Sequence, residues 1–437
     1  MLRKKNPMIP LRHLKTRQIA NIRIRYRSIL ILISGFLLIQ WILVTPIRSN
    51  DQKIKISGDG GVVFAAARVF DGRRMMENAA VRIVRDKILE VGRTEDLRGL
   101  STEFHDLGDS TILPGFIELH AHLLFRRVPP EIVLRHGITT LRDVGGPLVR
   151  AAGGHGTLRI LTAGPIITVQ KGYPISVFGK GYIAEPVGDP QQARALVRRL
   201  VDEGAAVIKI AIEPGGETGA PWSAHHHEKH ALPWPVPTLE LVQAIVEEAH
   251  NLNKITTAHI GERMGAAIAV SAGVDEWAHI PCEEIDDDTL KLAVQRNVRI
   301  VTTLDTMSHC RGIFNNGRKL AQLGAKFLYG AEIAHSDIPW GIDARELELM
   351  QHVLGMSPEE VLKAATSDAG KELGSNLLGT LLPGAPADLI AVPGDVVKNF
   401  KALEYPALVI SGGAIIVNAY EANGKAAGST RGISEQP

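Results

Sequence analysis

Acid is missing from the first 50 residues, which carry ten Lys or Arg and no Asp or Glu. The formal net charge of +2 therefore misdescribes the rest of the chain. Of 49 basic residues, 39 remain after residue 50 against all 47 acidic ones, a balance of about −8. That balance excludes a nucleic-acid-binding body on charge grounds. Aromatics are scarce at 5%, while Ala, Gly, Val, Ile and Leu are plentiful, which suits α/β packing of small side chains. No internal repeat or low-complexity tract is evident, which excludes a repeat array. Cysteine is limited to Cys282 and Cys310. At 437 residues the chain is long enough for one large barrel and a smaller domain.

Charge is also missing from residues 28–47, and 29–44 is apolar apart from Ser34, Gly35 and Gln40. That length lies between a signal-peptide core and a full membrane span. A small-x-small cleavage pattern is poor after it, so an uncleaved anchor is favoured over a cleaved signal. A buried core helix is disfavoured, because a polycationic flank gains nothing from a core. Nine of the ten cations precede the run and would hold the N-terminus in the cytoplasm. The expectation is a membrane-anchored or exported protein with an extracytoplasmic body, periplasmic in a bacterium.

Beyond a polar, Gly-rich tether, short alternating runs at 62–69, 80–85, 87–91 and 111–113 read as antiparallel strands. Similar runs return at 387–392, 407–411 and 414–418. A β-sandwich built from both ends of the chain explains this, with a larger domain inserted. The predicted partition is 1–50 head and anchor, 51–113 first β part, 114–379 inserted domain and 380–437 second β part. In the insert, strand patterns at 112–122, 138–144, 159–163, 206–212, 254–259, 274–279, 298–304 and 326–332 alternate with helical ones. Helices are predicted at 190–203, 238–252, 262–272 and 289–295, among others. Eight such units imply a (β/α)8 barrel, whose chemistry sits at the C-terminal ends of its strands. Long loops at 165–188 and 213–236 would overhang that face.

Polar residues collect at those ends. Phe116, Glu118, His120 and His122 alternate onto one face of the first strand. Two imidazoles so placed can grip one zinc-like ion. By itself a His-x-His is more often the polar face of a half-buried strand; the later strands change the balance. Lys209 lies inside strand four, where an ammonium is costly unless paired or neutralised. His259 and His279 end strands five and six, and Glu332 closes strand eight, where an acid could bind metal and accept a proton.

The pattern resembles the amidohydrolase superfamily, in its imidazolonepropionase- and prolidase-related, metal-dependent branch. The likeness runs from about residue 62 to 418. It is carried by the run from Leu113 to His122, by Gly137 to Gly146, by Val207 to Ile210, by Glu346 to Met350, by Ala364 to Thr366 and by Gly384 to Ile390. It implies that His120, His122, Lys209, His259 and His279 ligate metal, with Lys209 carboxylated in members holding two ions. The cofactor is then a divalent metal, zinc favoured, as one or two ions.

Three departures stand out. Glu118 replaces the usual Asp two residues before His-x-His, and Gly330-Ala331-Glu332 replaces Gly-Thr-Asp. The carboxylate is thus one methylene further out and a hydroxyl is lost; Asp337 is the substitute if Glu332 fails. The connection at 304–318 is shorter than in many relatives, which implies a more open pocket.

The expected activity is hydrolysis of an amide-type C–N bond in a small molecule, an N-acyl amino acid or dipeptide, with Glu332 as the proton shuttle. The rivals are a membrane-tethered, catalytically weakened binding protein and a cyclic amidase or deaminase; Lys209 argues against a deaminase. The partners expected are the small substrate and the membrane, with no nucleic acid and with homo-oligomerisation left open. His225, His226, His227 and His230 crowd the second long loop; a solvated loop is favoured there over an extra metal or substrate clamp. Cys282 and Cys310 follow consecutive strands, and an oxidising compartment would close them into a disulfide.

Overall fold

A computed structural model describes residues 60–421, apart from 102, 180, 218 and 223–231. The basic head, the apolar run and the histidine-rich stretch therefore lie outside the described residues. Among the described residues no helix is long and apolar enough to cross a membrane.

The two ends of the described chain share one sheet. β1 (Val62–Phe70), β2 (Met75–Val84), β3 (Lys87–Arg93), β4 (Glu103–Asp106) and β5 (Ser110–Pro114) come before the insert. After it, β16 (Leu389–Pro393), β17 (Leu408–Ser411) and β18 (Ala414–Asn418) complete the order β18-β17-β16-β5-β1-β2-β3, with β4 on β1. The join is antiparallel, with Leu389 opposite Pro114 and Pro393 opposite Ser110. The strands from both chain ends are thus joined in one hydrogen-bonded sheet. β1 makes that possible by pairing with β4 along Val62–Ala65 and with β5 along Arg68–Val69. Phe64, Val81, Leu389 and Ile410 nevertheless share one apolar core.

Gly115 turns the chain from this sheet into the insert. A Cβ there would collide with the Thr139 side chain, and its N–H donates to Asp388 O at 3.0 Å. Only glycine permits so close an approach. β6 (Phe116–Ala121), β7 (Ile138–Asp143) and β8 (Arg159–Thr162) then form a parallel sheet. β9 (Ile166–Thr168), β10 (Ala184–Pro186), β11 (Ile208–Ala211), β12 (Thr256–His259), β13 (Glu276–Trp277), β14 (Arg299–Val301) and β15 (Lys326–Leu328) form another, ordered β10-β9-β11-β12-β13-β14-β15. Backbone hydrogen bonds link the two: Ala206 N–H to Thr162 O (2.8 Å) at one edge, His122 N–H to Ile333 O (3.0 Å) at the other.

The helices between strands follow from local sequence. Pro190–Glu203 starts at Asp189, whose side chain accepts from Gln192 N–H at 2.8 Å, with Pro190 in the first turn. It stops at Gly204, at φ 114°. Its Ala193, Leu196, Val197 and Leu200 recur at helical spacing and are buried. Thr238 caps Leu239–Asn251 and Asp286 caps Asp287–Gln295 in the same way.

Several strands are shorter than the alternation predicts. β13 is two residues where six are expected, and β15 is three where seven are expected. After Leu328 the backbone donors leave the sheet: Tyr329 N–H goes to Ala364 O and Ala331 N–H to the Glu118 carboxylate. Glu332 therefore does not close a strand. It sits in a turn at φ 60°, with Ala334 at φ 88°.

Cys282 and Cys310 form a disulfide with Cα atoms 4.9 Å apart at a sequence separation of 28. Replacing both by Ser is expected to lower stability by roughly 3 kcal/mol through the lost constraint on the unfolded chain. Urea unfolding of the oxidised protein and the double variant measures this; equal midpoints at equal slope would refute it.

Candidate metal centre

Glu118 and His120 establish the site. Glu118 is fully buried, and its carboxylate accepts from His120 N–H at 2.6 Å and from Ala331 N–H at 3.0 Å. It thus staples β6 to the turn that carries Glu332. Burial pushes its carboxyl well above the ordinary range, against the pull of those two amides. His120 places Nδ1 2.8 Å from Ala278 O. A carbonyl only accepts, so Nδ1 carries the proton and Nε2 keeps its lone pair. His279 holds Nδ1 2.9 Å from the Thr303 hydroxyl, and its Nε2 is buried without a hydrogen-bond partner.

Ring centroids of His120 and His279 are 4.5 Å apart, those of His259 and His279 4.8 Å, and those of His120 and His122 5.3 Å. The Glu332 carboxylate lies 3.6 Å from His122 Nε2 and 4.0 Å from both His120 Nε2 and His279 Nδ1. Lys209 is buried on β11 and lines the same cavity as His122, His259 and Glu332. His259 is clasped by Tyr173, stacked at 4.5 Å, and by Trp222, edge-on at 4.6 Å.

Electrostatics follow from burial. It lowers His120, His259 and His279 well below the imidazole range, and the Lys209 charge lowers them further. All three are neutral imidazoles. Burial also brings the Lys209 ammonium down to about 7, against the attraction of Glu332 and Glu276. For Glu332, burial raises the pKa, but contact with His122 outweighs it and leaves the group lowered, an anion.

The donor set fits a cation. His120 Nε2, His259 Nε2, His279 Nε2, Lys209 Nζ, Glu332 Oε2 and Glu213 Oε2 are all buried without a hydrogen-bond partner. Buried polar atoms are ordinarily satisfied, and each one left bare costs about 1–3 kcal/mol. One atom each from His120, His279 and Glu332 lies within 4.8 Å of the others. Imidazole nitrogens with a carboxylate are zinc-type ligands.

The structure thus brings together His120, His122, Lys209, His259, His279 and Glu332. Asp337 does not join them; it is exposed, with Ser336 Oγ 3.5 Å from its carboxylate. Sequence reasoning missed Glu213, Tyr173 and Trp222. Glu213 had a signal: it continues the alternation of Lys209 and Ala211 past the strand end. Tyr173 and Trp222 had none beyond their place in the two long loops. Phe125 and Phe178 pack edge-on at 5.5 Å along the cavity, and the exposed Arg126 guanidinium lies 5.1 and 5.5 Å from their rings.

Known proteins are similar to this chain. A model of the amidohydrolase family matches residues 111–416. Ochratoxinase of Aspergillus niger is 27% identical over 323 residues, which is 63% of this chain and 64% of that protein. The chain thus matches slightly less than two thirds of that relative's length. Imidazolonepropionase of Deinococcus deserti is 23% identical over 380 residues, covering 77% of this chain and 92% of that one. Among solved structures, a Xaa-Pro dipeptidase with bound methionine superposes with a TM-score of 0.65 at 21% identity, over 81% of this chain and 99% of the other.

Proposed function

The chain belongs to the amidohydrolase family, and from that premise we propose that it is a metal-dependent hydrolase of an amide-type C–N bond in a small molecule. The observation that carries this is the set of bare imidazole nitrogens converging with Lys209 and Glu332 at one cavity. In this reading β6, β7, β8 and β11 to β15 close as the eight strands of a (β/α)8 barrel, with the site at their C-terminal ends. The residue ranges 114–379 for the barrel and 51–113 with 380–437 for the flanking β domain belong to the same proposal.

His120, His122, His259, His279, Glu332 and Lys209 would hold one or two divalent ions, zinc by preference, with Lys209 carboxylated when two are bound. Such an ion supplies Lewis acidity, polarising a carbonyl and acidifying water. The protein's own part is positional. Glu118 holds the His120 backbone and the Ala278 carbonyl its ring, and Thr303 holds His279. Glu332, anionic and central to three imidazoles, accepts a proton from water and delivers it to the leaving nitrogen. Tyr173, Trp222, Phe125 and Phe178 exclude water and favour an apolar substrate body.

An N-acyl amino acid or dipeptide fits this cavity, because Arg126 lines it beside the Phe125 and Phe178 rings, with no ion pair to a carboxylate among the described residues. A substrate carboxylate would complete it. Arg126→Gln is therefore expected to raise KM for an N-acyl amino acid about 10- to 100-fold, the value of a charged hydrogen bond of roughly 1.5–3 kcal/mol. The same change should leave KM for the uncharged ester or amide of that substrate nearly unaltered; an equal rise for both would count against the contact. Turnover by the zinc-loaded protein on a panel of N-acyl amino acids and dipeptides tests the wider proposal. No turnover on any of them, with metal bound, would favour a catalytically weakened binder; turnover only on cyclic amides would move the substrate class.

The disulfide supports placing the body outside the cytoplasm, where such pairs persist. With the basic head and the apolar run at 29–44 it favours a membrane-anchored or exported protein.

A further inference from the structure

Glu213 has no place in the roles above, although its geometry is that of a ligand. It is 1% exposed and lies two residues beyond Ala211, so it points to the same side of the β11 line as Lys209. One carboxylate oxygen, Oε1, accepts from Gly215 N–H at 2.6 Å. The other, Oε2, has no partner and lies 3.6 Å from His259 Nε2, which has none either. That separation is too long for an N–H···O hydrogen bond. It is close to the edge of a tetrahedron around an ion with ligand bonds near 2.1 Å, about 3.4 Å. Both side chains are held. Tyr173 and Trp222 fix the His259 ring, and Gly261 leaves the space that the carboxylate and the Trp222 ring fill, since a Cβ there would collide with both.

We propose that Glu213 is a metal ligand, forming with His259 a second cation position beside the one framed by His120, His122 and Glu332. The inference rests on the metal-dependent reading of the site. The two positions share a flank, because His279 lies 4.5 Å from the His120 ring and 4.8 Å from the His259 ring. Glu213 then supplies the second ion with a carboxylate donor that does not depend on the chemical state of Lys209. The competing explanation is a proton shared between Glu213 and the adjacent Glu262, whose carboxylate is itself held by Gly216 N–H.

The test is metal stoichiometry of the full-length protein, reconstituted with zinc, dialysed and measured by mass spectrometry, together with the visible spectrum of the cobalt-loaded form. Wild type is expected to bind two ions per chain. Glu213→Gln should bind one, with affinity for the second lowered on the order of 100-fold or more, and should lose part of the cobalt spectrum. Glu213→Asp should regain part of the second ion, and Glu262→Gln should retain both. Thermal unfolding of the metal-free proteins verifies folding, and a Glu213→Gln that does not fold leaves Glu213→Asp and Glu262→Gln to decide. Two ions and an unchanged spectrum in Glu213→Gln, or loss of an ion in Glu262→Gln equal to that in Glu213→Gln, would overturn the proposal. A wild-type protein holding one ion that Glu213→Gln keeps overturns it while leaving the metal-dependent reading intact. A wild type that binds no metal removes both.

Discussion

Glu332→Gln is expected to lower kcat on the order of 1,000-fold, within the usual contribution of a general acid–base group. Glutamine keeps a carbonyl oxygen as a ligand but cannot accept and return a proton. Metal content should therefore stay near wild type, which separates loss of chemistry from loss of the ion. The turn matters as much as the carboxylate. Glu332 sits at φ 60°, a conformation that costs a non-glycine residue about 1–3 kcal/mol. Its reward is the position of the longer side chain, 3.6–4.0 Å from three imidazoles. Glu332→Asp alone should then be slow, because the shorter chain falls about 1 Å short of a site built for glutamate, a displacement that can cost about 100-fold. Wild-type kcat in Glu332→Gln would transfer the proton to another residue.

Lys209→Ala is expected to reduce turnover at least on the order of 100-fold, the loss seen when even an outer partner of a metal ligand is removed. Lys209 is 2% exposed, its Nζ has no hydrogen-bond partner, and burial brings its ammonium down to about 7. A large neutral fraction near neutral pH is what carbamate formation with carbon dioxide requires. Reconstitution with zinc in bicarbonate should therefore yield more activity than reconstitution without it, and the gain should vanish in Lys209→Ala. Equal activity with and without bicarbonate would argue for an unmodified lysine. It would also give Glu213 a larger share of the anionic charge at the centre.

Both predictions draw on residues that the linear sequence displayed and on positions that it did not. His120, Lys209 and His259 were readable because side chains alternate along a strand and the catalytic face of such a domain is where the strands end. The joining of the two chain ends in one β structure was readable from two sets of alternating runs. The family, too, was carried by short local motifs. Local pattern says little, however, about where a strand stops. β15 ends early because backbone donors beyond it find partners elsewhere, among them the Glu118 carboxylate and Ala364 O. Those partners are 213 and 35 residues away in sequence, so no window of the chain contains them.

The same limit divides the centre itself. The chain alone determined which imidazoles, which lysine and which acid are available, because periodicity and motif spacing are properties of neighbours in sequence. Tertiary structure decided which atoms of those groups remain bare. His120 Nε2 is free because Ala278 O occupies Nδ1, and Glu332 reaches the imidazoles because a left-handed turn swings it there. It also decided that Glu213 faces His259, that two loops bring Tyr173 and Trp222 around that ring, and that Arg126 lines the cavity. A ligand sphere is a set of distances among groups from different strands, and only folding specifies those distances.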